Sequence, residues 1–129
     1  MKIWRAAVVP LALLLSIGAC APKKSQRAAP HLQRAETTVR VTNNNWATVV
    51  VYLVRSGPPT RLGTVTSMRT EVLRVPRSAM PSTGSVQLMV DPIGSRHTYT
   101  SPVIQVGPGQ QIEFNIENQL SISSISVWE

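Results

Sequence analysis

Residues 37–129 predict an all-β domain, an antiparallel β-sandwich of seven or eight strands. Three observations carry this prediction. Short runs alternate apolar with polar residues, turn-forming residues separate these runs, and helical periodicity is absent from this part of the chain. A length of 129 residues limits the chain to one such domain besides any targeting segment.

The first two predicted strands lie on either side of an asparagine run. Val39 and Val41 alternate with Arg40, and the asparagines at 43–45 should end this strand because asparagine tolerates left-handed turn geometry. The segment 46–55 is apolar at odd and even positions alike, which is typical of a strand buried on both faces. We therefore expect it to be the central strand.

The middle of the domain should hold shorter strands. Strands are expected at 61–66, 69–75 and 86–90. A loop at 78–84 should precede the third of these strands, and a turn at 91–94 should follow it. In the third strand, Val86, Leu88 and Val90 should share the inward face, because alternate residues of a strand point the same way.

The C-terminal part should begin with a strand over 98–106. Pro108 and Gly109 then suit a type II turn, in which proline is preset at the first central position and glycine supplies positive φ at the second. The strand that follows shows the clearest alternation of the chain, and its inward residues should be Ile112, Phe114 and Ile116.

The last strand shows a change of parity. Apolar residues fall at even positions with Leu120 and Ile122, but at odd positions with Ile125 and Val127. This slip at Ser123-Ser124 predicts a β-bulge or a bend.

The N-terminus carries the features of a targeting segment. Lys2 and Arg5 precede a mostly apolar run at 6–17, and the small residues Gly18 and Ala19 follow. This pattern predicts a signal peptide over 1–19. The run is short for a membrane span, which takes about 20 residues.

The sequence Ile17-Gly18-Ala19-Cys20 resembles the lipobox of bacterial lipoproteins. The resemblance implies that Cys20 receives a diacylglycerol thioether, that signal peptidase II cuts before it, and that the new N-terminus is acylated. The protein would then be held on a membrane by the lipid on Cys20. The alternative is that Cys20 is a small apolar residue ending a signal sequence that is cut elsewhere.

Two neighbouring features refine this prediction. In bacteria with two membranes an Asp after the lipidated Cys resembles a retention signal for the inner membrane. Ala21 does not, which implies the cell outer membrane, with the domain in the periplasm or at the surface. Since Cys20 is the only cysteine, its lipidation would leave the domain without thiol or disulfide.

The segment 20–36 should be a flexible tether after the modified cysteine. It is rich in polar and small residues and carries four basic ones, Lys23, Lys24, Arg27 and Arg34. These cations would lie near lipid head groups, where weak attraction to anionic lipid is expected. The alternative is a solvated spacer.

The net charge of +7 comes mainly from the N-terminal part. Residues 37–129 hold seven arginines against five carboxylates, a net charge of +2. A duplex-binding protein needs several cations gathered on one face. We therefore expect no specific nucleic-acid partner.

The sequence offers little chemistry for catalysis. His97 has no ligand at metal-binding spacing, and Glu113 and Glu117 lie too far apart along one strand face for a glycosidase pair. Phosphate-binding loops, nucleophile elbows and HExxH motifs are absent from the sequence. We predict no enzyme activity, no catalytic residues, no cofactor and no metal.

Large aromatic residues are the candidates for an interaction surface. Trp46, Tyr52 and Trp128 are residue types enriched at interfaces. The alternative for the two tryptophans is that each plugs an open end of the sandwich. Tyr52 shares parity with Trp46, so a cleft lined by both would favour a glycan reader.

In general layout the domain resembles the immunoglobulin-like and transthyretin-like sandwiches of bacterial envelope lipoproteins, without the Cys…Trp…Cys arrangement of antibody domains. We predict a lipid-anchored cell-envelope protein, a non-catalytic structural or protein-interaction module with an envelope protein as partner. The alternatives are a binding module for a glycan or small ligand, and an accessory lipoprotein of a secretion or surface-assembly machine. An exposed edge strand with apolar neighbours would favour partner binding by strand addition.

Overall fold

A computed structural model describes residues 36–129. Within them the chain forms nine strands and two short 3-10 helices, Arg77–Ala79 and Leu120–Ile122. In chain order the strands are β1 (Thr38–Asn43), β2 (Val49–Val54), β3 (Thr60–Val65), β4 (Arg69–Arg74), β5 (Ser85–Pro92), β6 (Tyr99–Thr100), β7 (Ile104–Gln105), β8 (Gln111–Ile116) and β9 (Ser124–Trp128).

The strands form two sheets. Sheet 1 has the order β4-β1-β8-β9, and sheet 2 has the order β3-β2-β5-β6, with β7 also paired to β5. Inward residues of both sheets form one buried core. The predicted β-sandwich is confirmed, with nine strands in place of seven or eight.

One strand pair is parallel. β1 pairs with β8 in parallel, so that Val39 lies beside Ile112 and Val41 beside Phe114. The other pairs among the described strands are antiparallel. A hairpin cannot join parallel neighbours, and here the chain passes through both sheets between the two strands.

The core follows the predicted alternation. Phe114 is the largest fully buried side chain, and its ring stacks on that of Tyr99 with centroids 6.4 Å apart. The other inward residues predicted from alternation are also buried, namely Val39, Val41, Val86, Leu88, Val90, Ile112 and Ile116. These predictions are confirmed.

The central strand was predicted too long. β2 begins at Val49, and it lies between β3 and β5 as a central strand should. Its inner residues are fully buried, but Val50, Tyr52 and Val54 are only half-buried. The prediction of burial on both faces is wrong, because a two-layer sandwich covers only one face of each sheet.

The predicted strand over 98–106 is interrupted. It divides into β6 and β7, and Ser101 between them is buried. The Ser101 hydroxyl accepts a hydrogen bond from the backbone N–H of Leu88 at 3.0 Å, and Pro102 follows without an N–H of its own. The hydroxyl of Ser101, and not a backbone carbonyl, is thus the acceptor for the backbone N–H of Leu88.

The predicted break at Ser123-Ser124 is a bend. The chain leaves β8 at Ile116, forms the 3-10 turn Leu120–Ile122 and starts β9 at Ser124. Ile125 and Val127 then face the core. The register irregularity lies elsewhere, between Val51 and Tyr52 in the pairing of β2 with β3.

Residues 37–129 expressed alone should give a soluble monomer with an all-β circular dichroism spectrum. The reason is that the whole described core lies within this segment and needs no disulfide. Far-ultraviolet circular dichroism and sedimentation measure both properties. A helical or disordered spectrum would contradict the expectation.

Candidate interaction surfaces

The strand directions define two ends of the sandwich. The described chain starts at Glu36, beside the start of β1, at what we call the proximal end. At the other end, the distal end, four loops connect the strands. These distal loops are residues 44–48, 66–68, 93–98 and 117–123.

A buried asparagine organises the first two distal loops. Asn43 is 0% exposed, and its Nδ2 lies 3.0–3.1 Å from the carbonyl oxygens of Ala47, Val65 and Thr66. Its Oδ1 accepts the backbone N–H of Asn45 at 3.0 Å. Two amide hydrogens serve three carbonyl oxygens, so at least two of these contacts share a hydrogen.

A second buried asparagine joins the next loop. Asn45 Nδ2 donates to the carbonyl oxygens of Glu117 and Asn118 at 3.3 and 3.1 Å. The fourth loop is held by a backbone bond from Ile93 N to Thr48 O at 2.8 Å. The loop after β1 is therefore bonded to the loops at 93–98 and 117–123, and Asn43 at the end of β1 bonds to the loop at 66–68.

The predicted reason for the asparagine run is wrong. We expected left-handed geometry, but among the described non-glycine residues only Met68 has a positive φ, of 56°. Asn43 belongs to β1, and its role is to donate hydrogen bonds to carbonyl groups 22 and 23 residues away. These acceptors are set by the folded topology, so the local sequence holds no sign of them.

Each distal loop exposes one large apolar side chain. Trp46, Met68, Ile93 and Ile122 are 76%, 60%, 61% and 63% exposed. We call these four side chains the distal tip. Trp46 is thus far from plugging the sandwich, and that alternative is wrong for it.

Trp128 lies at the opposite end. It is the last residue of β9 and is 57% exposed, so it does not plug the proximal end either. Its Nε1 donates to Ser126 Oγ at 3.1 Å. The side chain lies on the outer face of sheet 1.

Tyr52 is separated from both tryptophans. It lies on the outer face of sheet 2, in register with Arg61 and Met89. Trp46 precedes the first residue of β2 and lies outside this register. Neither residue lines the two cavities described next.

Open cavities lie at both ends of the sandwich. The distal cavity, of about 400 Å³, is lined by residues including Asn45, Ser95 and His97. The proximal cavity, of about 340 Å³, is lined by residues including Val75 and Met80. No carboxylate lines either of them.

The four sheet edges differ in how they are protected. β4 carries Arg69, Glu71 and Arg74, and β3 carries Arg61 and the register irregularity. β6 and β7 have two residues each. Charges, bulges and short length all discourage pairing at an edge, whereas β9 has five residues and no charge.

Metal and membrane features are absent from the described part of the chain. Between residues 36 and 129, no group of three His, Cys, Asp or Glu side chains could hold a metal ion. No helix in the same residues is long and apolar enough to cross a bilayer. The predicted lipid site, Cys20, the signal peptide and nearly all of the predicted tether lie outside the described residues.

No family model matches the chain, and no curated protein matches it significantly. The fold is a two-sheet β-sandwich in which the edge strand β9 carries no charge and the distal end exposes four large apolar side chains.

Proposed function

We propose that this protein is a lipid-anchored, non-catalytic interaction module of the cell envelope that binds a partner protein by strand addition at β9. The single observation that supports this most is the open edge of β9. The lipobox-like sequence ending at Cys20 supports the anchor, and the outer membrane is its proposed location.

β9 has the composition of a pairing strand. Its sequence is Ser-Ile-Ser-Val-Trp, with β-branched or aromatic residues at three of five positions and neither proline nor glycine. It pairs with β8 on one side, and no described strand pairs with its other side. β7 of sheet 2 lies close to β9 without pairing with it, so an added strand would take up the backbone groups of β9 that no described strand bonds.

The side chains of β9 provide both faces that an added strand needs. Ile125 and Val127 are half-buried and extend the core face to the rim of the sheet. Trp128 is exposed on the outer face, where an aromatic residue can serve as an anchor for a partner. Main-chain bonds would supply affinity, and these side chains would supply specificity.

The carboxylates support a non-catalytic role. Glu113 lies on the outer face of sheet 1, in register with Arg40 and Ser126. Glu117 Oε1 accepts a hydrogen bond from Asn44 Nδ2 at 3.1 Å. Both are thus placed on the surface of the sandwich, outside its two cavities.

Placing a lysine on β9 should block the partner. We expect Ser126→Lys, in the full chain, to lower the yield of partner captured by crosslinking from the native envelope by roughly tenfold, equivalent to about 1.4 kcal/mol. A charge on an edge strand discourages a second strand from pairing. Mass spectrometry of the captured protein measures the loss.

The matched control is Thr70→Lys, an exposed position on the other edge of sheet 1. It should leave capture unchanged. Hydrogen exchange separates strand addition from side-chain docking, because only strand addition protects the free amides of β9. Equal loss in both variants, or no added protection of β9, would refute the proposal.

A further inference from the structure

The exposed apolar residues are unevenly distributed. Seven large apolar side chains of the described residues are exposed, and the distal tip accounts for four of them. The other three lie away from that end: Val72 in β4, Val103 between β6 and β7, and Trp128 at the end of β9. Single exposed apolar residues are ordinary, but a group of them at one place marks an interaction site.

We propose that the distal tip contacts the surface of the bilayer that holds the Cys20 lipid. The sandwich would then touch its membrane twice, through the lipid and through Trp46, Met68, Ile93 and Ile122. This inference rests on the proposed lipid anchor, and it adds a second contact that the anchor alone does not require.

The arrangement of the distal tip suits the boundary between lipid and water better than it suits a groove on a partner protein. Its side chains come from four separate loops, one from each, at the end of the domain. Such a group presents several short apolar projections and no continuous strand or helix for a partner to follow. Tryptophan, the most exposed of the four, is the residue type enriched at the boundary between lipid and water.

The charges near the tip do not oppose lipid. The distal loops contain Arg96 and one carboxylate, Glu117, whose Oε1 already accepts the amide of Asn44. Arg69 begins β4 at the same end. Asp91 lies next to the last residue of β5 at this end, so two arginines balance two carboxylates and anionic head groups would meet no net negative charge.

The tip is held in place before it binds. The amides of Asn43 and Asn45 bond the distal loops to one another, and Met68 has a left-handed φ of 56°, which a non-glycine residue seldom adopts. Loops that are already ordered lose less conformational entropy when they dock.

The length of chain outside the described residues allows contact with the anchoring bilayer. Fifteen residues separate Cys20 from Glu36, and they can span up to ~50 Å. A six-residue strand spans only ~20 Å. The tether can therefore bring the distal end to the membrane, and it holds the tip at a high effective concentration there.

Quenching of Trp46 by brominated lipid tests the proposal. The full lipidated chain is made with Trp4 and Trp128 both changed to Phe, so that Trp46 is the sole tryptophan whether or not the signal peptide is removed. It is reconstituted into phosphatidylcholine vesicles with and without bromine on the upper acyl chain. We expect the brominated vesicles to remove most of the Trp46 emission, because interfacial side chains lie ~5–10 Å into the boundary.

Matched variants define the surface involved. Ile93→Ser combined with Ile122→Ser should restore the Trp46 emission, whereas Val72→Ser combined with Val103→Ser, at similarly exposed positions elsewhere, should not. A chain with Trp128 as its sole tryptophan should show no quenching, since that residue lies at the proximal end.

The outcomes separate the two proposals. If the chain fails to float with its vesicles, the lipid anchor is wrong. If it floats but Trp46 is not quenched, the tip inference is wrong. Quenching only by brominated vesicles added from outside would place the tip on a second membrane, and protection of Trp46 only by envelope protein would make the tip a protein-docking surface. Either result overturns the inference.

Discussion

Cys20→Ser should abolish the incorporation of labelled fatty acid while leaving the β-sandwich as stable as before. A serine hydroxyl is not the acceptor in the lipoprotein family, so the thioether cannot form. One acyl chain gives only marginal membrane binding and two give stable anchoring, so loss of the diacylglycerol should release the chain or leave it as an unprocessed precursor. Metabolic labelling and membrane fractionation measure both effects.

Thermal unfolding of the full chain, with and without the substitution and in the same detergent, provides the control for this variant, because residues 37–129 alone do not contain Cys20. The melting temperature should not change, because Cys20 is the sole cysteine and no disulfide is lost. If the variant still takes up fatty acid and is processed normally, Cys20 is not the anchor. The proposed location and the second membrane contact at the distal tip would then both be withdrawn.

Asn43→Asp should destabilise the domain by about 3–5 kcal/mol at neutral pH, as expected for an unpaired buried charge. The substitution keeps the shape of the side chain but removes its two hydrogen-bond donors. It places a carboxylate oxygen where Asn43 Nδ2 now faces the carbonyl oxygens of Ala47, Val65 and Thr66. Urea denaturation measures the loss, which is a large share of a typical stability of about 5–15 kcal/mol.

The loss should shrink as the pH falls. Burial raises the pKa of the introduced carboxyl in the folded state above its unfolded value of about 3.9, so the folded state binds a proton more tightly. Stability therefore rises on acidification towards the unfolded pKa. Asn118→Asp, at an exposed distal position, should change stability by less than about 0.5 kcal/mol. Equal losses in both variants would refute the role assigned to Asn43.

The inward residues could be predicted from sequence because alternation is local. Whether Ile112, Phe114 and Ile116 share a face follows from the strand period of two, whatever lies opposite them. The strand ends were harder to predict. The interruption at Ser101 depends on a bond to Leu88, thirteen residues away, and the sequence around Ser101 does not show that partner.

The grouping of the distal tip could likewise not be predicted from the sequence. Trp46 was singled out because of its residue type, whereas Met68 and Ile93 lie in predicted turns and Ile122 was assigned to the apolar alternation of the last strand. Their grouping exists only because four strand connections end on the same side of the sandwich. Trp46 and Tyr52 share parity, and a cleft lined by both would have favoured a glycan reader, but Trp46 lies outside β2 and neither residue lines a described cavity.

The parallel pairing of β1 with β8 also constrains when this chain can fold. Thr38 pairs with Gln111, 73 positions later, so the order of sheet 1 depends on a contact between distant parts of the sequence. Until residues 111–116 are available, β1 lacks one neighbour and the core lacks Ile112, Phe114 and Ile116. Pairings of such long range form slowly because the intervening chain must first be closed into a loop. The sandwich therefore stays open until residues 111–116 have been made, a delay that would suit the proposed lipoprotein, which would have to cross a membrane before it folds.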